Sequence, residues 1–218
     1  MACYLNNQIP QEHLRPKESA VIAAMKAEEP TYRCSDLIAV LLSCSPPIFF
    51  KGFSMDISLP DAESTVEFGR QLGRALNEQD AEGGEQVHII LFYGDLGSGK
   101  TTFTRGFIEA LPGGENAEVS SPSFTLCNSY PTTPSVIHCD LYRSEGALPD
   151  EVDEALDTES GLVLVEWAER IAAENLPPKR LDILFQVCKN NRLVTLSPYG
   201  KAAHCVLQKL ARLRDSGE

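Results

Sequence analysis

The pattern of hydrophobic and polar positions changes near Phe53. Residues 1–52 mix Pro, Ser, Cys and charged residues without a sustained period, whereas apolar residues recur at helical spacing between Asp61 and Leu76. Asp61 is a residue type that caps helix N-termini. We therefore predict a poorly structured N-terminal extension over residues 1–54 and one folded domain over residues 55–218. An alternative is that Met55 is the native start, which N-terminal analysis of the native protein decides.

Beyond residue 85, candidate strands and helices alternate along the chain. Mainly apolar runs predict strands at residues 87–93, 136–139, 162–166, 182–187 and 193–197. Helical spacing predicts helices at residues 100–111, 149–157, 168–175 and 201–214. This alternation predicts an α/β fold, a three-layer sandwich around a mostly parallel sheet. The polar turn between the last two strands adds an antiparallel hairpin at one edge.

A glycine-rich motif directly follows the strand at residues 87–93. Residues 94–101, GDLGSGKT, fit G-x-x-x-x-G-K-[ST] at every constrained position. Glycines allow a tight turn in which successive N–H groups point at phosphate oxygens, and the following helix N-terminus adds positive potential. Lys100 would reach the β and γ phosphates, the Thr101 hydroxyl would bind Mg2+, and Thr102 would contact the α phosphate. The predicted triphosphate cradle comprises Asp95, Leu96, Gly97, Ser98, Gly99, Lys100, Thr101 and Thr102.

Two acidic residues at strand ends are candidates for the remaining chemistry. Glu166 ends the apolar run LVLVE, and Asp140 ends SVIHCD. A phosphate loop of this type needs a second carboxylate on the metal side, normally after a neighbouring strand. Either acid could coordinate Mg2+ while the other orients or deprotonates the attacking water. His138 shares a strand face with Asp140 and is interpreted as structural, with positioning of Asp140 as the alternative.

The absence of guanine-recognition segments and the charge balance restrict the function further. No N-K-x-D or D-x-x-G segment stands where a GTPase needs one, which favours ATP. The formal net charge is -12, and residues 1–52 hold five basic and five acidic side chains, so the acidic excess lies in residues 53–218. Because phosphate backbones are bound by Lys and Arg, an acidic body argues against unaided nucleic-acid binding. We expect any nucleic acid to be held by a partner.

The cysteines and apolar runs bear on location. Seven cysteines are scattered with no C-x-x-C pair or metal-ligand spacing, which favours reduced thiols in a cytoplasmic protein. The longest apolar stretch outside the domain, residues 37–42, is far shorter than the roughly 20 residues that cross a bilayer. We therefore expect no membrane contact.

Four segments together resemble one family. They are LFYGDLGSGKTTFTRG at residues 91–106, SPSFT at residues 121–125, HCDLYR at residues 138–143 and VEWAE at residues 165–169. In order and spacing they resemble the bacterial P-loop ATPase family of tRNA threonylcarbamoyladenosine (t6A) synthesis, the TsaE or YjeE-like family. The resemblance covers about residues 55–214.

The resemblance implies a P-loop ATPase domain that hydrolyses ATP with Mg2+, weakly when isolated. It implies action in a complex with two proteins, a carbamoyl-transferring metalloprotein and its paralogue. That complex modifies adenosine 37 of tRNAs that read ANN codons, and the ATPase contacts tRNA only indirectly.

The resemblance also assigns roles to individual residues. It places Lys100 on the phosphates, Thr101 and Glu166 on Mg2+, and Asp140 as the catalytic or supporting acid. It makes residues 121–125 a switch-like loop near the γ phosphate. Trp167 is expected close to the nucleotide, with a partly buried interface aromatic as the alternative. Arg192 is expected to flank the base or the phosphates.

This sequence departs from the family pattern in places. Ser98 replaces the usual alanine, at a position that contributes mainly backbone. Residues 144–165 carry seven acidic residues and no basic one, which is typical of a solvated helix face or of a face that meets a basic partner.

Two other functions compete with an ATPase subunit of the tRNA-modifying complex. A P-loop kinase of small molecules fits the phosphate loop, but no arginine-rich lid follows the core. The other competing function is a nucleotide-dependent binding module whose ATP hydrolysis is incidental.

Overall fold

A computed structural model of the chain describes residues 54–81, 85–144, 148–189 and 191–216. The predicted N-terminal extension, apart from Ser54, lies outside the described residues. None of the helices in the described part of the chain has both the length and the apolar character that a membrane span requires.

The elements follow the predicted alternation of strands and helices. The strands are β1 (Met55–Leu59), β2 (Ile89–Tyr93), β3 (Cys127–Tyr130), β4 (Val136–Asp140), β5 (Leu162–Glu166), β6 (Arg180–Cys188) and β7 (Asn191–Tyr199). The helices are α1 (Ala62–Ala81), α2 (Lys100–Glu109), α3 (Asp150–Asp157) and α4 (Lys201–Ser216).

The described strands form one sheet in the order β1-β7-β6-β2-β5-β4-β3. Strands β6, β2, β5 and β4 are parallel to one another. The hairpin β6–β7 is antiparallel, as predicted, and β1 and β3 add antiparallel strands at the two edges. The α/β fold with a mostly parallel core and an antiparallel hairpin is therefore confirmed, and β1 rather than β7 is the edge strand on that side.

Both faces of the parallel core are covered. Along β2, Ile90 and Phe92 belong to the apolar cluster that includes residues of α1, α2 and α4, while Ile89 and Leu91 belong to the cluster that includes α3. Phe103 of α2 is fully buried in the first cluster. Alternate residues of one strand thus serve opposite layers, which explains the unbroken apolar run in the sequence.

The predicted helix at residues 168–175 is wrong. Two short 3-10 turns, Ala168–Arg170 and Ala173–Asn175, occupy the segment, and Ile171 and Ala172 between them are extended. Ile171 is buried in the apolar cluster that includes residues of α3. The extended backbone between the two turns brings Ile171 to this cluster, so the segment does not continue as one helix. Pro177 and Pro178 follow after Leu176 and oppose extension of a helix.

The prediction that all cysteines are reduced thiols is also wrong. Cys127 and Cys139 form a disulfide between β3 and β4. They lie opposite each other, next to the hydrogen bond from Asp140 N to Leu126 O at 2.9 Å. They therefore occupy a non-hydrogen-bonded pair, in which opposite side chains come closest. The pairing depends on β3, a short polar strand that the sequence pattern does not reveal.

Candidate nucleotide-binding site

The candidate site lies at the carboxyl edge of the parallel strands. The loop at residues 94–99 follows β2, Glu166 ends β5, and Asp140 ends β4. Glu166 pairs in register with Phe92 on one side and with Asp140 on the other. In sheets of this kind, ligands bind outside the carboxyl ends of the strands.

Glycine conformations shape the phosphate loop. Gly94 has φ +129°, and a Cβ there would lie 2.3 Å from the carbonyl oxygen of Phe185. Gly99 has φ +109° and immediately precedes α2, which begins at Lys100. A side chain is excluded at Gly94 by the neighbouring strand and is strained at both positions. The loop therefore turns directly into the helix N-terminus, an arrangement that suits an anion.

Lys100 is buried inside this loop, with 4% of its surface exposed. Its Nζ donates to the carbonyl oxygens of Gly94 at 2.6 Å and Asp95 at 3.0 Å. It also lies 4.2 Å from the centroid of the Trp167 ring. Burial lowers the pKa of Lys100, and the nearby carboxylates, Glu166 first among them, oppose that shift. The ammonium group is thus held in the loop by acceptors that phosphate oxygens can replace.

Two side chains contact the same carboxylate oxygen of Glu166. Thr101 Oγ1 donates to Glu166 Oε1 at 2.8 Å, and His138 Nε2 lies 3.0 Å from the same atom. Glu166 is 2% exposed, and His138 is fully buried. The structure therefore brings together Thr101 and Glu166, the two residues predicted for Mg2+.

Asp140 lies beside Glu166 and connects to the segment predicted to be a switch loop. Ser121 Oγ donates to Asp140 Oδ2, and the backbone N–H of Tyr142 donates to Oδ1 at 2.9 Å. The observed partner of the His138 ring at this edge is Glu166 rather than Asp140. The alternative that His138 positions Asp140 is therefore not what the structure shows.

The aromatic ring of Trp167 lies against Lys100 and contacts the ring of Tyr142. Trp167 has a left-handed backbone with φ 62°, and its ring is 4.9 Å from that of Tyr142, centroid to centroid. Phe124 in the predicted switch loop is 87% exposed and lies under the guanidinium group of Arg143. Trp167 thus lies beside the phosphate loop through its contact with Lys100.

The remaining predicted residues line the loop in different ways. Arg192 Nε donates to the carbonyl oxygen of Ser98 at 3.1 Å, so β7 supports the loop from the side. Ser98 is buried, and Thr102 is half-buried on α2. The side chains of Asp95 and Leu96 and the backbone of Gly97 are exposed, so they form the outer surface of the loop.

The comparison with family models decides the family. Residues 59–194, well over half of the chain, match the model described as "Threonylcarbamoyl adenosine biosynthesis protein TsaE". The chain belongs to the TsaE family.

Curated TsaE proteins are similar over most of their own length. The tRNA threonylcarbamoyladenosine biosynthesis protein TsaE of Bacillus subtilis is 37% identical over 127 residues, which are 57% of this chain and 78% of that protein. The protein of the same name from Haemophilus influenzae is 32% identical over 154 residues, 66% of this chain and 90% of that protein. The crystal structure of YdiB from Bacillus subtilis matches with a TM-score of 0.57 and 26% identity, over 74% of this chain and 97% of that chain.

The donor set of this TsaE chain fits Mg2+ bound together with a nucleotide. Among the described residues, no group of three or more His, Cys, Asp or Glu side chains could hold a metal ion. Mg2+ in nucleotide sites takes one or two carboxylates, with phosphates and water completing its octahedron. One hydroxyl and one buried carboxylate, already 2.8 Å apart in Thr101 and Glu166, match that requirement.

Three contacts of the site escaped prediction from the sequence. They are His138 with Glu166, Ser121 with Asp140, and Tyr142 with Trp167. Each crosses between segments that are distant in sequence, so no local spacing signals it. The only hint is that all these residues stand in the three segments SPSFT, HCDLYR and VEWAE.

Proposed function

We propose that this chain is an ATP-binding and ATP-hydrolysing protein that uses Mg2+ in the biosynthesis of threonylcarbamoyladenosine in tRNA. The printed names of the curated relatives support the biosynthetic role. The P-loop and its two strand-end acids support the ATPase activity.

One observation carries the proposal most directly. The P-loop Thr101 and the buried Glu166, 65 residues apart in sequence, share a hydrogen bond of 2.8 Å beside Lys100. A buried carboxylate is costly unless it has partners or a ligand to neutralise it. Its location next to a phosphate cradle fits the second carboxylate that P-loop enzymes place on the metal side.

The roles of the residues follow from their positions. When bound, Mg2+ would neutralise developing charge on the phosphates. Thr101 and Glu166 would hold it, and Lys100 would exchange its loop carbonyls for phosphate oxygens. Asp140 lies opposite Glu166 and accepts a hydrogen bond from Ser121. Since Glu166 would hold the metal, Asp140 is the better candidate of the two acids to orient the attacking water. The loop at residues 121–125 would then couple its own position to that of Asp140.

The proposal includes two protein partners, the carbamoyl-transferring metalloprotein and its paralogue, with tRNA contacted only through them. The acidic charge of residues 53–218 supports the indirect contact with tRNA. We propose the cytoplasm as the place of action, because ATP is a cytosolic substrate.

The test is reconstitution with the two partner proteins, tRNA, ATP, bicarbonate and threonine, with modified adenosine as the readout. Lys100→Ala is expected to lose ATP binding. Thr101→Ala is expected to lose Mg2+-dependent hydrolysis more than nucleotide affinity, since its hydroxyl lies on the metal side. Both variants should abolish formation of the modified nucleoside, because loss of one charge-stabilising group costs about a hundredfold or more in rate.

Arg105→Ala is the matched control, since Arg105 is exposed on the same helix as Lys100 and Thr101. It should retain hydrolysis and modification. Unchanged hydrolysis in Lys100→Ala or Thr101→Ala would overturn the site. A phosphorylated small molecule among the products would instead identify a kinase.

A further inference from the structure

His138 is a buried histidine with one observed side-chain partner at the site. It lies in β4, is fully buried, and places Nε2 3.0 Å from Glu166 Oε1. The other ring nitrogen, Nδ1, is buried and has no hydrogen-bond partner among the described residues. Neither the phosphate-loop chemistry nor the water-activating acid requires this residue.

The unpartnered nitrogen determines which tautomer fits. A proton on Nδ1 would leave a buried N–H without an acceptor and would place two acceptors, Nε2 and Glu166 Oε1, 3.0 Å apart. Both arrangements cost free energy in a buried site. A proton on Nε2 removes both problems, so His138 donates to Glu166.

The sheet register places His138 and Glu166 on neighbouring strands. His138 is opposite Leu164, and Asp140 is opposite Glu166, so His138 and Glu166 are diagonal neighbours on adjacent parallel strands. Two donors therefore reach Glu166 Oε1 from different elements, Thr101 from α2 and His138 from β4. Thr101 would turn to the metal when nucleotide binds, whereas the His138 ring is itself fully buried in β4.

We propose that His138 is a positioning residue that orients the Glu166 carboxylate for Mg2+ bound with ATP; this inference rests on the proposed function. A ligating carboxylate that is itself hydrogen-bonded keeps its orientation, and loss of such a supporting bond costs about tenfold to a hundredfold in metal affinity or activity. A histidine that only fills space would not discriminate between nucleotide with and without metal.

The test compares His138→Leu with His138→Gln. Leucine fills much of the volume but cannot donate, whereas the Gln side-chain amide reaches about as far as Nε2 and can donate. Binding of a non-hydrolysable ATP analogue is measured with Mg2+ and with EDTA, and the Mg2+ concentration for half-maximal hydrolysis is measured separately.

His138→Leu should weaken binding with Mg2+ and raise the half-maximal Mg2+ concentration, each by about tenfold or more. Its binding in EDTA should stay close to that of the unmodified chain. His138→Gln should recover most of the loss. In a Glu166→Gln background, His138→Leu should add little, because two residues that act through one contact are not additive.

Equal behaviour of the Leu and Gln variants, or a parallel loss with Mg2+ and EDTA, would show a structural role and overturn the inference. If His138→Leu does not fold, as judged by thermal unfolding without ligand, His138→Asn replaces it, since its shorter amide mimics Nδ1 and does not reach Glu166. Normal Mg2+-dependent binding by the unmodified chain with unaffected variants would refute the inference alone. No Mg2+-dependent binding by the unmodified chain would refute both proposals.

Discussion

At the scale of single residues, Ser98 is a buried polar side chain of the phosphate loop. It is 1% exposed, and its Oγ has no hydrogen-bond partner among the described residues. Its backbone makes the useful contacts, donating to Asp95 O at 3.2 Å and accepting from Arg192 at 3.1 Å. An unsatisfied buried hydroxyl costs about 1–3 kcal/mol. Ser98→Ala is therefore expected to raise the free energy of unfolding by about 1 kcal/mol, as measured by urea denaturation.

Nucleotide affinity should be unchanged in Ser98→Ala, because the backbone contacts of the loop remain. Ser98→Thr is the control: it keeps the hydroxyl and adds a methyl group to a buried position, so it should not stabilise the protein. A lower unfolding midpoint for Ser98→Ala would show that the hydroxyl has a stabilising partner.

At the scale of residues, the sequence predicts a site most directly where the chemistry is local. Residues 94–101 carry their own signal, because the glycines and Lys100 stand at fixed spacing in one segment. Glu166 and Asp140 could be proposed because the carboxyl ends of parallel strands share one edge. The partner of His138 could not be predicted from the sequence, since its contact with Glu166 depends on β4 and β5 being neighbours in the sheet. Alternation along β4 shows only which face His138 occupies.

At the scale of elements, α1 and α2 approach each other through glycines. A Cβ at Gly106 would lie 1.9 Å from the carbonyl oxygen of Val66, and one at Gly69 would lie 2.2 Å from that of Phe103. Gly106→Ala gains about 1 kcal/mol of helix propensity. A methyl group at 1.9 Å from backbone cannot be accommodated without moving the helices, and overpacking of this kind costs about 1–3 kcal/mol or more. We expect net destabilisation, measured as a lower urea midpoint with an unchanged m value.

The neighbouring Arg105→Ala variant tests the same helix on its exposed face and should leave the midpoint nearly unchanged. A midpoint for Gly106→Ala at or above that of the unmodified chain would mean that the helices separate without cost. Because α2 begins at Lys100, such a shift would also reach the phosphate loop.

The elements that the sequence predicts are those whose pattern reflects burial on both faces. Strands β2 and β5 are apolar runs because both layers cover them. Strand β3, with the sequence CNSY, lies at an edge and carries polar residues, so neither it nor its disulfide to β4 follows from periodicity. The turns at residues 168–175 mimic a helical pattern because Ile171 must reach the core between them.

At the scale of the whole molecule, the charge distribution bears on how tRNA is reached. The formal net charge is -12, and α3 presents the exposed acids Asp150, Glu151, Asp153, Glu154 and Asp157 with no basic residue in the helix. Nucleic-acid affinity arises largely from neutralised phosphates and weakens steeply with salt. We expect the isolated chain to leave fluorescently labelled tRNA unbound at physiological salt, with or without ATP and Mg2+. The two partner proteins should bind the same tRNA under those conditions, and this chain should join that complex. A tRNA complex formed by the isolated chain, with an affinity that falls as salt rises, would instead locate a tRNA-binding surface on this chain and contradict the indirect contact.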